Sequence, residues 1–285
     1  FTYYSPTEIV FGPETEALAG PLVRKWGGSR VLVVCGGHSA RSSGLLDRVV
    51  QSLTQEGLAC AVLEGVQPNP LLSTAQAGVE QARQFGADFL LGVGGGSVLD
   101  TAKAIADGAA SPGTGLWDFW SRKTPLVQAL PVGAVLTIPA AGSESSDSAV
   151  LTQDETQIKR GLSSPLHRPR FAVMNPELAC TLPRYQVACG TVDIMMHTMD
   201  RYFSKPTGNE LTDEIAQGLL RTVIRNGKRA LDHPGDCQAM SELMWAGSLS
   251  HNGLTGLGAP NDFAPHQLAH VLRGKSDVAH GASLS

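Results

Sequence analysis

Unbroken apolar runs that end in glycine constrain the fold of this chain more than any other feature. Residues 31–35 (VLVVC) lead into Gly36 and Gly37, and residues 89–93 (FLLGV) lead into the loop 94–97 (GGGS). Strands without polar alternation are typical of a parallel sheet that is buried on both faces. Repeated strand–helix–strand units build such sheets with right-handed connections. The first part of the chain is therefore predicted to be an α/β domain.

The sequence pattern changes near Leu182 and Pro183. From about Tyr185 onward the apolar residues recur at the spacing of helices. We therefore expect two domains, an α/β domain over residues 1–182 and an all-α domain over residues 183–285. The clearest helical segments of the second domain are residues 211–225 and 238–249.

Composition and charge argue against two classes of partner. The 285 residues include 26 acidic and 22 basic side chains, a formal net charge of −4, so the chain lacks the basic excess of a nucleic-acid-binding protein. No apolar run approaches the roughly 20 residues of a membrane span, and no signal peptide opens the chain. Five cysteines without a CxxC pair lead us to expect unpaired thiols and a reducing cytoplasm. These cysteines are Cys35, Cys60, Cys180, Cys189 and Cys237.

Three of the eight histidines lie close together near the end of the sequence, which predicts a metal site. His266 and His270 are four residues apart and share one face of a helix. His280 follows much later, roughly 21 Å from His266 along one straight helix. Both can bind one ion only if the helix breaks between them, and Gly274 within residues 273–276 favours such a break. The alternative is that these are ordinary core or surface histidines.

A second cluster upstream supports the metal interpretation. Asp193 and His197 are four residues apart, and the apolar residues 194–196 between them indicate a buried helix. A buried aspartate or histidine needs a partner, and one Asp with three His suits Fe(II) or Zn(II). The alternative is a buried Asp–His hydrogen bond.

The loop 94–97 is a candidate phosphate-binding site. Glycines let a backbone approach a phosphate, and the N–H groups that begin the following helix attract it. The loop matches neither the GxGxxG fingerprint nor a Walker A motif, so an ordinary turn is the alternative. Asp100 and Lys103 follow near the start of that helix, where helix capping and a solvated face would also explain them.

The loop after the first apolar run bears on the choice of cofactor. In dinucleotide-binding folds an acidic residue at the end of a strand binds the adenosine ribose. This loop instead contains Gly36, Gly37 and Ser39, with Arg41 nearby. Small residues, a hydroxyl and an arginine would accommodate a 2′-phosphate, which favours NADP(H) over NAD(H). A plain turn is again the alternative.

These motifs, in this order, resemble the iron-containing alcohol dehydrogenases, and especially the branch of NADPH-dependent butanol dehydrogenases and aldehyde reductases. The resemblance runs from PTEIVFG at residues 6–12 to HG at residues 280–281. Its landmarks are GVQPNP (65–70), GGGSVLDTAK (94–103), AAGSES (140–145), MNPEL (174–178), GTVDIMMHTMDRYF (190–203), ELTDEIAQGLLRTVI (210–224), MWAGSLSHNGLTGLG (244–258) and DFAPHQLAHVL (262–272).

The resemblance implies a fold and a metal site. The fold is like that of dehydroquinate synthase, with an α/β N-terminal nucleotide-binding domain and an all-α C-terminal metal-binding domain. The family's helical domain continues beyond His280, so residues 183–285 would be an incomplete version of it. The implied metal ligands are Asp193, His197, His266 and His280, with His270 as a nearby catalytic histidine that does not bind the metal.

The resemblance also implies which residues contact the cofactor. Gly95, Gly96 and Ser97 would hold its phosphates. Gly37 stands where strictly NAD-using relatives have an aspartate, which agrees with the preference for NADP(H). Asn69 would lie on the adenosine side. The complete set expected to bind the cofactor is Gly36, Gly37, Ser39, Asn69, Gly95, Gly96, Ser97, Asp100, Thr137, Ser146 and Lys159, of which Thr137, Ser146 and Lys159 would face the nicotinamide half.

The implied activity is hydride transfer between NAD(P)(H) and alcohols or aldehydes, above all NADPH-linked reduction of short- to medium-chain aldehydes, with one divalent ion. The resemblance favours a homodimer. One alternative is a lyase or cyclase of the same fold that acts on a sugar phosphate. It would need a basic phosphate pocket, for which the helical domain offers Arg201, Arg221, Arg225 and Lys228. A second alternative is a chain without activity.

Overall fold

The computed structural model describes residues 1–204, 208–258, 263–273 and 280–284, and for residues 270, 272 and 273 it describes the backbone alone. The chain forms two compact units. We call the first the sheet unit, and it consists of Pro6–Leu136 and Asp147–Asn175. We call the second the helical unit, and it consists of Phe1–Ser5, Thr137–Ser146 and Pro176–Ser285.

The sheet unit is built on a six-stranded parallel sheet with the strand order β1-β8-β5-β4-β2-β3. An antiparallel hairpin of β6 and β7 forms a second, two-stranded sheet. The predicted α/β class is thus confirmed. The strands are β1 (Glu8–Phe11), β2 (Arg30–Gly36), β3 (Ala59–Val66), β4 (Phe89–Gly94), β5 (Val132–Leu136), β6 (Ser148–Thr152), β7 (Lys159–Ser163) and β8 (Phe171–Met174).

Burial explains why the apolar runs form the centre of this sheet. Every residue of β4 is buried, as are residues 31–35 of β2. These are the two runs that the sequence predicted to be covered on both faces, and helices provide that cover. The helices of this unit are α1 (Ala19–Lys25), α2 (Ser39–Ser42), α3 (Leu45–Gln55), α4 (Leu72–Phe85), α5 (Gly96–Ala110) and α6 (Leu116–Trp120).

The helical unit is organised around the 19-residue helix α7. Its buried positions, which include Gly190, Asp193, Ile194, His197 and Arg201, recur at three- and four-residue intervals and form one face. This confirms the predicted helical C-terminal region. The helices are α7 (Arg184–Tyr202), α8 (Glu210–Asp232), α9 (Cys237–His251), α10 (Ala264–Arg273) and α11 (His280–Ser283). Of the helices in the described ranges, none combines the length and hydropathy needed to cross a membrane.

One expectation about the cysteines is wrong. Cys180 and Cys237 form a disulfide with Cα atoms 5.3 Å apart, and Cys35, Cys60 and Cys189 are free thiols. The two bridged residues are 57 positions apart, so no local spacing could have revealed them. The 3₁₀ helix Pro176–Ala179 packs against α9, and this packing brings the two sulfurs together. The inference of a reducing cytoplasm therefore loses the support of unpaired cysteines.

The disulfide predicts the number of reactive thiols. We expect three of the five cysteines to react with a thiol reagent in denaturant without reductant, and all five after reduction. Closing a loop of this length typically contributes roughly 2–4 kcal/mol to the free energy of unfolding. Reductant should therefore also lower the thermal midpoint of the unmodified protein, but not that of a variant with both Cys180→Ser and Cys237→Ser. Five reactive thiols before reduction would contradict the pairing.

Candidate functional site

Helix α7 places three ionisable side chains, two acidic and one basic, on one buried face. Asp193, His197 and Asp200 follow one another at intervals of four and three residues, which is the spacing of neighbours along one side of a helix. The side chains of Asp193 and Asp200 are 4% and 3% exposed, and that of His197 is 6% exposed. Burial of so many polar groups on one face is costly in free energy unless other groups contact them. The residues that contact these three side chains therefore belong to the candidate site.

Two histidines from the end of the chain converge on Asp193. Nε2 of His266 on α10 and Nε2 of His280 on α11 each lie 3.6 Å from Oδ1 of Asp193. One donor atom from each of these three residues lies within 4.8 Å of the other two. A separation of 3.6 Å is too long for a hydrogen bond, but two ligands of one tetrahedral Zn(II) would be roughly 3.4 Å apart at usual bond lengths. The geometry therefore fits a common ion.

Unsatisfied polar atoms give an independent reason to expect a cation. Oδ1 of Asp193 and Nε2 of His266 are buried, and neither has a hydrogen-bond partner among the described residues. Leaving such an atom unpaired typically costs about 1–3 kcal/mol, and more if it is charged. Both atoms are ligand types for Fe(II) and Zn(II). The residues present thus fit a divalent metal ion.

Hydrogen bonds determine which nitrogen His197 and His266 offer. Nδ1 of His197 donates to the backbone carbonyl of Asp193 at 2.9 Å, and Nδ1 of His266 donates to Oδ2 of Asp200 at 2.5 Å. In the neutral rings the lone pair is therefore on Nε2, the form that a metal requires. Burial lowers the pKa of His197 to about 3, so this ring is neutral at physiological pH.

The pKa of His266 moves in the other direction. Burial by itself lowers this pKa, but the carboxylates of Asp193 and Asp200 outweigh burial and raise it. A proton and a metal ion compete for such a nitrogen, because only the neutral ring can bind the metal.

The four predicted ligands are not placed equally. Asp193, His266 and His280 form the three-donor group, whereas His197 stands beside it, with its ring centroid 4.3 Å from that of His266. The ring centroids of His266 on α10 and His280 on α11 lie 5.5 Å apart, so the two residues do not lie on one straight helix, as predicted. The predicted position of the break, residues 273–276, lies outside the described residues except for the backbone of Arg273. So does the side chain of the predicted catalytic His270, of which only the backbone within α10 is described.

Asp200 is a site residue that the sequence analysis missed. It accepts the hydrogen bond from His266 and so fixes the orientation and tautomer of that ring, a common arrangement behind metal-binding histidines. Its position seven residues after Asp193 was an available signal, because that spacing returns to the same helical face. Its partner lies 66 residues away, however, and no local pattern specifies such a contact.

A glycine next to His280 lets α11 approach α7. A Cβ atom added to Gly281 would lie 1.9 Å from the backbone carbonyl oxygen of Cys189, a distance that no real side chain tolerates. Only glycine therefore allows the two backbones to pack this closely. Since His280 is the adjacent residue, this contact sets how near its imidazole comes to Asp193.

The loops predicted to bind the cofactor lie at the carboxyl ends of strands in the sheet unit. Gly95 caps the 15-residue helix α5, and Gly96 is its first residue, so its free N–H groups begin directly after β4. Oγ of Ser97 accepts a hydrogen bond from the backbone N–H of Asn69 at 3.2 Å. Nζ of Lys159 donates to Oδ1 of Asn69 at 3.3 Å. Asn69 and Lys159, which the resemblance assigns to opposite halves of the cofactor, are thus direct neighbours.

The remaining predicted cofactor residues are placed as follows. The carboxylate of Asp100 accepts a hydrogen bond from the backbone N–H of Val150, which joins α5 to β6. Lys103, which follows Asp100 on α5 but is not in the predicted cofactor set, is fully buried and donates from Nζ to the carbonyl of Ser148, so it does not lie on a solvated face. Gly36 ends β2, and Gly37 and Ser39 follow it. Thr137 and Ser146 belong to the segment of the helical unit that spans residues 137–146.

Two models of one protein family match the chain over most of its length. Residues 6–176 match the model of the iron-containing alcohol dehydrogenases, and residues 187–285 match the model of the C-terminal part of the same family. The chain belongs to the iron-containing alcohol dehydrogenase family. The resemblance drawn from the sequence motifs is therefore confirmed.

Individual members of the family extend this result. The chain is 39% identical over 285 residues to NADH-dependent butanol dehydrogenase A of Clostridium acetobutylicum, and 38% identical over 289 residues to the NADPH-dependent aldehyde reductase YqhD of Escherichia coli. Each match covers all of this chain and 73% of the relative. The crystal structure of NADH-dependent butanol dehydrogenase A from Thermotoga maritima superposes with a TM-score of 0.96 at 38% identity, over all of this chain and 71% of that one.

The packing of Gly281 predicts the effect of one methyl group. We expect Gly281→Ala to weaken binding of Zn(II) about tenfold or more, because α11 must move away from α7 and take His280 with it. Competition with a chelator of known affinity would measure the change. Gly218→Ala on α8 is the matched control, since its Cβ would meet only the end of Arg221 at 4.0 Å. Equal zinc affinities in both variants would contradict this role for Gly281.

The hydrogen bond to His266 predicts the effect of changing Asp200. We expect Asp200→Asn to weaken metal binding roughly 10–100-fold, because the amide keeps the shape of the carboxylate but not its charge. Asp200→Glu retains the charge and should restore much of the affinity. Zinc content after dialysis against graded chelator concentrations would measure both effects. An asparagine variant that holds zinc as tightly as the unmodified protein would show that Asp200 does not support His266.

Proposed function

We propose that this protein interconverts alcohols and aldehydes by hydride transfer with a nicotinamide cofactor, and that Asp193, His197, His266 and His280 hold a divalent ion. The observation that carries the proposal is the convergence of Asp193, His266 and His280, with two buried donor atoms unsatisfied, in a member of the iron-containing alcohol dehydrogenase family. A divalent ion held there supplies a Lewis acid for the substrate oxygen. The nicotinamide supplies the hydride chemistry.

The side chains of the site have distinct tasks in this proposal. His197 and His266 offer Nε2, because their Nδ1 atoms are committed to hydrogen bonds. Asp200 holds His266 in that orientation. His270 lies one helical turn from His266, and we assign it the transfer of a proton to or from solvent. Gly95, Gly96 and Ser97 receive the cofactor phosphates at the start of α5.

The finer features of the proposal concern the cofactor, the metal and the assembly. We propose NADP(H) over NAD(H), because Gly37 leaves space beside the predicted ribose site, although relatives named for each cofactor occur. One aspartate and three histidines suit Fe(II) and Zn(II) alike. A cytoplasmic location stays a prediction from the sequence. Short- to medium-chain aldehydes as substrates and a homodimer complete the proposal. They follow from the family resemblance.

The alternative of a lyase or cyclase has less support. The relatives named above are alcohol and aldehyde oxidoreductases. A sugar-phosphate enzyme would need basic side chains available for the phosphate, but Arg201 donates to the carbonyls of His197 and Ser250, and Lys228 pairs with Asp232. Two of the four candidate cations are therefore already engaged. These contacts favour the redox proposal.

Metal removal and one ligand variant test the proposed function. We expect the protein to oxidise NADPH with butanal, to lose this activity on treatment with a chelator, and to regain it with Fe(II) or Zn(II). Asp193→Ala should lower the metal content of the purified protein, since it removes a ligand and a negative charge from the site. It should also lower kcat/KM by at least about 100-fold. Asp213→Ala, on the exposed start of α8, is the control and should change neither quantity. A folded, metal-loaded protein that reduces no aldehyde with NADPH or NADH would refute the proposal.

A further inference from the structure

An ion pair joins the loop after β2 to the end of β3. The guanidinium of Arg41 on α2 donates from Nε to Oε2 of Glu64 at 2.9 Å, and from Nη2 to Oε1 of Glu64 at 2.5 Å. Two parallel bonds of this kind are the strongest form of contact between arginine and a carboxylate. The side chains remain 59% and 35% exposed. A ligand at this edge of the sheet can therefore reach both charges.

A local irregularity in β3 positions Glu64. β2 and β3 pair in parallel up to Val34 and Leu63, and the next pair is Gly36 with Val66. Between these two pairs β3 contains one residue more than β2, which is a β-bulge, a feature that redirects side chains. Gly65 within the bulge has a φ of 91°, which glycine adopts at little cost. Glu64 lies in this bulge, and its carboxylate contacts Arg41 from there.

Strand order relates this pair to the predicted phosphate loop. β2 lies between β4 and β3, and the three strands run parallel, so the loops that follow them share one edge of the sheet. In dinucleotide-binding folds the adenosine ribose extends from the phosphate loop over the end of the neighbouring strand. That strand here is β2. The space is open at Gly37, where an added Cβ would meet no described heavy atom within 4 Å.

Building on the proposed function, we propose that Arg41 binds the 2′-phosphate of NADP, and that Glu64 competes with this phosphate for the same guanidinium. The Arg41–Glu64 pair then sets the preference between NADP and NAD. The planar fork of Arg41 matches a phosphate as well as a carboxylate. Glu64 repels the 2′-phosphate, but it can accept a hydrogen bond from the 2′-hydroxyl of NAD.

Opposite substitutions of the two partners test this inference. The fluorescence of bound nicotinamide would give the Kd of NADPH and of NADH for each purified variant. We expect Arg41→Gln to raise the Kd of NADPH about tenfold and to leave that of NADH unchanged, because a charged hydrogen-bond donor is lost. We expect Glu64→Gln to lower the Kd of NADPH about fivefold, since the guanidinium is released from an exposed ion pair. Adenosine 2′,5′-bisphosphate should compete with the same order of affinities as NADPH.

The chain offers a matched control pair in the same unit. Arg24 donates from Nη1 to Oε2 of Glu56 at 3.2 Å, and these side chains are 63% and 30% exposed, close to the values for Arg41 and Glu64. Arg24→Gln and Glu56→Gln should leave both dissociation constants unchanged. Equal weakening of NADPH and NADH by Arg41→Gln, or an unchanged ratio in both test variants, would overturn the inference and leave the proposed function standing. An unmodified protein that binds neither cofactor would instead refute the proposed function.

Discussion

A carboxylate removed from water on the buried face of α7 is the constraint on which the candidate site depends. The side chain of Asp193 is 4% exposed, and Nε2 of His266 and Nε2 of His280 each lie 3.6 Å from its Oδ1. A buried ion is costly unless an opposite charge compensates it. The neutral ring of His266 presents the lone pair of Nε2 to this carboxylate and does not compensate its charge, whereas a cation between them attracts both groups. The electrostatics of the bare residues thus call for a metal ion.

Contacts around the donors keep them in place for that ion. The Nδ1 hydrogen bonds of His197 and His266 leave Nε2 as the nitrogen with the lone pair in both neutral rings. Gly281 permits a backbone contact that any side chain would prevent, and it does so one residue after His280. Ligand type alone would not make a metal site here. Orientation by Asp200 and close helix packing are also required.

In the sheet unit, the residues predicted to bind the cofactor are held in place by contacts with other segments of the chain as well as by their own loops. Ser97 is tied to Asn69, Asn69 to Lys159, and Asp100 to the backbone of Val150. Each of these contacts joins segments that are far apart in sequence. The proposed preference between NADP and NAD also rests on a contact between separate elements. The loop after β2 contains no carboxylate, but the bulge in β3 brings Glu64 to its edge.

The sequence by itself determined the features that depend on local periodicity. Apolar runs predicted the central strands because both faces of a parallel sheet are buried, and the predicted helical segments 211–225 and 238–249 lie within α8 and α9. The four-residue spacing of Asp193 and His197 placed both on one helical face. Only the tertiary structure decided which distant groups meet: Asp200 with His266, Cys180 with Cys237, and Arg41 with Glu64. Periodicity describes neighbours along a helix or a strand, whereas these contacts result from the packing of separate elements.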